Sequence, residues 1–304
     1  MTTRIVSLLN ADAARRLWSL GLLSCLGVAG CSAGPAESST DSNDTSPHSP
    51  VVPQPVEPAA PAAPGAGLLE PVVVEPAPMT AEGWLTVLEA SASQTESLTA
   101  RVRMTNVAAL LEEETQYFGS LRYAAADDEH ASMRFAVRFE RKKVDSVIED
   151  IDQSYVYDGR WLLDVDAKDQ TATRRELVPE GEQADLELGD GPFLLPLNLR
   201  KDRVLQKFEV GLIEPAEDDP KSEAGTFHLR LIPKPQAGTD AQQIDLWFDQ
   251  ETLLPLRAAT LEADDDQTIV DLFRPEANAS LEDEAFDTAL PDGRGWELQV
   301  VPLD

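Results

Sequence analysis

From residue 98 the chain alternates apolar and polar side chains with a period of two. Leu98, Ala100, Val102 and Met104 alternate with Thr99, Arg101, Arg103 and Thr105. Tyr117, Gly119, Leu121 and Tyr123 continue the pattern, and Met133, Phe135, Val137 and Phe139 alternate with Arg134, Ala136, Arg138 and Glu140. A period of two sends successive side chains to opposite faces, so these stretches predict strands buried on one side. Tyr155-Val156-Tyr157 and Trp161-Leu162-Leu163 flank Asp158-Gly159, a hairpin signal. Residues 171–178 predict the next strand. Phe227, Leu229 and Leu231, then Ile244, Leu246 and Phe248, then Leu256, Ala258 and Thr260 alternate again. Ile269 with Leu272 and Phe273, and finally Trp296, Leu298 and Val300, close the series. Two stretches depart from this period. Thr80 can cap a helix in which Trp84, Leu85, Leu88 and Ala92 recur at helical spacing. Phe193-Leu194-Leu195-Pro196-Leu197 is apolar without alternation, and Pro196 interrupts it. It predicts a short helix or an ordered loop lying on the sheet. The expected class is α+β: an antiparallel meander, with one helix and one irregular insertion covering a face.

Ahead of residue 80 the alternation is absent. Residues 32–79 contain no Lys, Arg, Phe, Tyr or Trp, and hold 11 of the 22 prolines. Such a segment buries too little apolar surface to offset the entropy of ordering, and reads as an extended tether. The first thirty residues differ again. Arg4, Arg15 and Arg16 precede an apolar run from Leu17 to Ala29, too short to span a bilayer, which needs roughly 20 residues. A charged start, a short apolar middle and small residues at the end predict a secretory signal. The expected organisation is a signal peptide over 1–30, Cys31 with its tether over 31–79, and one domain over 80–304.

Charge changes the picture chiefly by exclusion. The chain has 55 acidic and 25 basic residues, a formal net charge of -30. Nucleic acid is excluded as a partner, because phosphate binding needs clustered Lys and Arg. A broad electrostatic grip on anionic lipid heads is disfavoured for the same reason. Two Cys and three His leave little room for a zinc cage or a disulfide scaffold.

Two resemblances sharpen these expectations. Val28-Ala29-Gly30-Cys31 resembles the lipobox of bacterial lipoproteins, although Val stands where Leu is commoner. That resemblance implies cleavage after Gly30 and lipidation of Cys31. Ser32 after the Cys implies delivery to the outer membrane, facing the periplasm. The domain's order of helix, strands, Tyr155-Val156-Tyr157-Asp158-Gly159-Arg160-Trp161 hairpin, apolar insert and further strands resembles the LolA/LolB-like lipoprotein carriers. Gly191-Pro192-Phe193-Leu194-Leu195, Leu229-Arg230-Leu231-Ile232-Pro233-Lys234, Phe248-Asp249 with Leu254-Pro255, and Asn278 to Trp296 carry the rest of the likeness.

The likeness implies an unclosed antiparallel β-barrel whose concave face is covered by helices, over a cavity for acyl chains of lipoproteins or other amphiphiles. It implies a role in lipoprotein sorting or transfer to the outer membrane, without enzymatic activity and without a cofactor. The alternative on the same fold is a periplasmic sensor that detects lipid or lipoprotein and signals to an envelope protein partner. Two departures stand out. Soluble carriers lack an anchor, and the basic residue and Pro that help latch their lid after the second strand are replaced here by Ala124-Ala125-Ala126-Asp127-Asp128-Glu129. The expected cavity lining is Trp84, Leu88, Val102, Met104, Phe135, Val137 and Phe139, with Trp161, Phe193 and Leu194 added. The tryptophans fit a lipid pocket and a plain core equally.

Catalytic and metal motifs are weak. His130 and His228 are about a hundred residues apart, and no nucleophile elbow or Walker loop occurs. The acidic runs at 112–114, 127–129, 217–219 and 264–266 lack calcium-loop spacing and read as solvated turns that discourage edge pairing. No metal or cofactor is expected.

Overall fold

The structure is a computed structural model that describes residues 80–128, 130–182, 188, 196–214 and 225–303. The signal segment, Cys31, the tether, Phe193 and Leu194 lie outside the described residues. The domain opens with helix α1 (Ala81–Ala92), followed by strands β1 (Ser97–Ala108), β2 (Glu113–Ala124), β3 (Arg134–Val144), β4 (Val147–Tyr157), β5 (Trp161–Asp166) and β6 (Thr171–Glu176). After helix α2 (Lys201–Lys207) come β7 (Phe208–Ile213), β8 (Thr226–Pro233), β9 (Ala241–Asp249), β10 (Pro255–Glu262), β11 (Gln267–Ala277) and β12 (Glu297–Val301).

All twelve strands form one sheet in the order β12-β6-β5-β4-β3-β2-β1-β11-β10-β9-β8-β7. Two meanders, β1 to β6 and β7 to β11, are thus sewn together by the antiparallel β1–β11 pair. The ends of the order, β12 and β7, do not pair, so the barrel stays unclosed as expected. The purely antiparallel expectation needs one correction: β12 runs parallel to β6, from Glu297 opposite Thr171 to Val301 opposite Arg175. Antiparallel pairing needs only a hairpin, whereas a parallel partner needs a crossover connection. Residues 177–296 supply that connection here.

Local chemistry explains several joints. Thr80 caps α1 by accepting a hydrogen bond from the Gly83 amide at 3.1 Å. In the β4–β5 hairpin, Gly159 takes φ +100°, and the Asp158 carboxylate accepts from the amides of Arg160 and Trp161. Gly119 in β2 stands where a Cβ would lie 1.9 Å from the Arg138 carbonyl oxygen. The register of β2 against β3 shifts beside it, between Phe118 and Gly119. Helix α2 and strand β7 were not expected from the pattern. Only Val204 of α2 is buried, so its apolar stripe is too thin to register.

Candidate functional site

Directly paired residues share a sheet face, so the register reads out what the inner face carries. Three rows cross β2, β3, β4 and β5: Tyr123-Phe135-Tyr157-Leu162, Leu121-Val137-Tyr155-Asp164 and Gly119-Phe139-Gln153-Asp166. The first row is apolar to its end, whereas the second and third end in carboxylates. On the other side of β1 the same face continues through Val270 and Leu272 to Ala258, Leu246 and Leu229. The helix α1 lies on this face, which is the inner one.

Two buried apolar clusters divide that face. The first gathers Trp84, Leu85 and Leu88 of α1 with Val204 of α2 and Phe208, Phe227, Leu229, Leu231, Ile244, Leu246, Phe248 and Ala258. Trp84 stacks on Phe227 with ring centroids 3.7 Å apart, and Phe227 stacks in turn on Phe248. The second cluster gathers Leu98, Ala100, Val102, Leu121, Tyr123, Phe135, Val137, Phe139, Tyr157, Leu162, Leu254, Val270 and Leu272. Leu177 and Leu197 from the β6–α2 connection pack against it.

A cavity of about 30 Å³ lies at the seam between the clusters. Leu88, Leu199, Phe248 and Leu253 wall it from the first cluster, and Leu98, Tyr123 and Leu254 from the second. That is far too small for an acyl chain, which fits only if the seam widens.

Of the residues expected to line a cavity, Leu88 walls this one. Trp84 is buried beside it in the first cluster. Val102, Phe135, Val137 and Phe139 are buried in the second cluster, with Met104 packed against its margin. The helix therefore packs over the β7–β9 side of the sheet, with Leu88 turned toward Leu98 and Tyr123 at the seam. Trp161 is corrected to the outer face: Leu162, not Trp161, opposes Tyr157, so Trp161 points the other way. There it lies beneath the guanidinium of Arg174, 4.5 Å from the ring centroid, and near that of Arg160.

The outer face holds the buried charge. Asp271, 1 % exposed, takes hydrogen bonds from Arg103 at 2.6 Å and Arg257 at 2.7 Å. Burial opposes its ionisation, but the two guanidiniums outweigh burial and hold the carboxyl below the usual range. Asp245 is held low in the same way, against burial, by His228, Arg230 and Gln243. His228 also stacks on Trp247 at 4.1 Å. The two histidines of the domain, isolated in sequence, are thus each tied to an aspartate, His130 to Asp127 and His228 to Asp245. Among the described residues, no group of three or more His, Cys, Asp and Glu side chains is placed to hold a metal.

Sequence reasoning missed the polar end of the inner face. Burial pushes the Asp164 carboxyl up to about 6, the nearby charge of Asp166 adds to this, and Arg175 partly offsets it. Tyr155 is raised by burial first and by Asp164 next, and Tyr117 is raised by burial and by Glu113. Gln153 donates to Asp166 at 2.7 Å. A signal existed in the chain: Leu162, Asp164 and Asp166 occupy one phase of a strand, so two carboxylates stand in core register.

No protein-family model matches the chain, and no curated protein matches it. Solved structures similar to it include a DUF1329 family protein from Desulfovibrio piger, at 12% identity and TM-score 0.36, covering 69% of this chain and 98% of that one. A LolA superfamily protein from Nitrosomonas europaea is similar at 13% identity and TM-score 0.31, covering 69% and 98%. The MucA/MucB complex of Pseudomonas aeruginosa gives 15% identity and TM-score 0.36 over 69% of this chain and 61% of that one. At these values the likeness adds nothing on ligand or role, and the functional reading rests on the inner face itself.

Proposed function

We propose that this protein binds the acyl chains of lipoproteins or other amphiphiles on the inner face of its sheet, as a lipid-anchored component of the cell envelope. The observation that carries the reading is the seam: one sheet face is apolar from β8 to the row of Tyr157 and Leu162, yet its covering splits into two clusters with a cavity where they meet. Widening it replaces side-chain contacts with ligand methylenes, each worth about 0.8 kcal/mol when buried, so even half an acyl chain offsets substantial repacking.

Anchoring follows from Cys31 in its lipobox-like setting, and the Pro-rich residues 32–79 give the domain reach from the membrane. Sorting or transfer of lipoproteins to the outer membrane is the role that this combination serves. Neither binding nor handover requires a reaction, so the reading needs no catalytic residue.

The test is saturable uptake of a fluorescent long-chain fatty acid by the purified chain. Leu98→Trp, which fills the seam, lowers uptake roughly tenfold while the protein stays folded. Absence of saturable uptake by the wild-type chain overturns the reading.

A further inference from the structure

The polar end of the inner face calls for an account of its own, because carboxylates in core register are costly unless something meets them. Asp164 lies in the row of Leu121, Val137 and Tyr155, directly opposite Thr173 of β6. Arg175 is its diagonal neighbour, in the row of Leu162. Diagonal cross-strand neighbours stand about 7–8 Å apart, still within reach of long side chains. Asp166 and Gln153 form the adjacent row and are bonded to each other. Tyr117, Phe139 and Tyr155 make an aromatic wall leading there, with Phe139 5.5 Å from Tyr117 and 6.4 Å from Tyr155 between ring centroids.

The face therefore changes from apolar to charged within two residues of β5. Its two charged ends, a carboxylate and a guanidinium, are close but not bonded to each other in the structure. An amphiphile entering at the seam beside Tyr123 and running along its row, displacing the side chains that now bury Tyr157 and Leu162, would put its head at Asp164 and Arg175. A head that satisfies both must carry an anion and a hydrogen-bond-donating cation a short link apart. A phosphate and a primary ammonium joined by two carbons meet that requirement, whereas a free fatty acid or a phosphoglycerol head brings no cation to the Asp164 carboxylate.

We propose that β4, β5 and β6 form a head-group subsite for a phosphoethanolamine lipid, Arg175 taking the phosphate and Asp164 the ammonium. This rests on the acyl-binding reading above and names the ligand class for it. The burial that raises the Asp164 carboxyl accords with it: an arriving ammonium would stabilise the carboxylate charge that burial disfavours. Arg rather than Lys at 175 suits phosphate, whose oxygens match its fork.

The experiment compares one tail-labelled diacyl lipid bearing three heads: phosphoethanolamine, phosphoglycerol, or none, as diacylglycerol. The full chain is titrated with each, and also as Asp164→Asn and Arg175→Gln, with melting curves recorded alongside. The wild type is expected to hold the phosphoethanolamine lipid roughly tenfold tighter than the phosphoglycerol lipid, the scale of one charge-assisted hydrogen bond. Asp164→Asn abolishes that preference and leaves diacylglycerol binding unchanged. Arg175→Gln weakens both phosphorylated lipids and again spares diacylglycerol. Equal affinity for the three heads, or a preference that survives Asp164→Asn, overturns the subsite while acyl binding stands. If none of the three lipids binds, including the headless one, the acyl-binding reading falls and the subsite with it.

Discussion

Replacing Asp164 by Asn removes a charge without changing shape, and its consequence for stability follows from the burial. The carboxyl is raised from 3.8 to about 6 in the folded chain, chiefly by desolvation. Each unit is worth about 1.4 kcal/mol, so ionised Asp164 costs the folded state up to roughly 3 kcal/mol, less any relaxation. The sign runs one way. Below about pH 4 the residue is protonated folded and unfolded, and costs nothing. Between about pH 4 and 6 the folded chain holds a proton that the unfolded chain releases, so stability falls as pH rises. Above about pH 6 the full cost is present. Asp164→Asn should therefore match the wild type near pH 4 and exceed it by about 1–3 kcal/mol at pH 7.5. Urea unfolding of ligand-free protein at both pH values reads this directly. The other perturbed carboxylates are common to both proteins and cancel in the difference. A pH-independent difference, or a variant less stable at pH 7.5, is incompatible with a carboxyl raised by burial.

Other substitutions test other parts of the structure. Gly119→Ala puts a Cβ against the Arg138 carbonyl oxygen, so it should lower stability by about 2 kcal/mol or more, read as a lowered urea midpoint. Asp271→Asn leaves Arg103 and Arg257 without their shared carboxylate and should cost about 3 kcal/mol, whereas Glu149→Gln, which breaks an exposed pair with Lys168, should leave the urea midpoint nearly unchanged. Phe139→Ala in the second cluster should cost about 3–5 kcal/mol if the ring is packed core, and less, with altered lipid uptake, if the seam reaches it. Cys31→Ser should release the domain from membranes on fractionation or leave the precursor uncut; migration and fractionation like the wild type would reject lipidation.

Much of the sheet was legible because alternation survives in each strand by itself. Leu98 to Met104 and Phe135 to Phe139 show it, and both lie on the inner face. What alternation cannot specify is which strand lies beside which, or which hairpin residue faces in. Trp161 illustrates the second gap: both phases of Trp161-Leu162-Leu163 are apolar, and only the register with Tyr157 selects Leu162 for the inner face. The parallel seat of β12 beside β6 illustrates the first, since Glu297 to Val301 alternates equally well against any edge. Strand β7 keeps the period of two through Phe208, Val210 and Leu212, but it is only six residues long, follows α2 without a turn and lies at the end of the sheet order. Placing α1 over β8 and β9 depended on the stacking of Trp84 on Phe227, a contact between residues far apart in the chain. The site was legible only in half: its apolar set followed from periodicity, but Asp164 and Arg175 were polar residues in core phase, and their meaning emerged only once the rows were aligned.

The claim on which the rest depends is that the inner face takes up lipid through the seam between its two clusters. Native mass spectrometry of the full chain, purified gently from membranes, tests it most directly. A population heavier by the mass of an acyl-bearing lipid is expected, released as free lipid on collisional activation and diminished in Leu98→Trp. A single mass equal to that of the protein and its own anchor, unchanged after incubation with lipid, would contradict it.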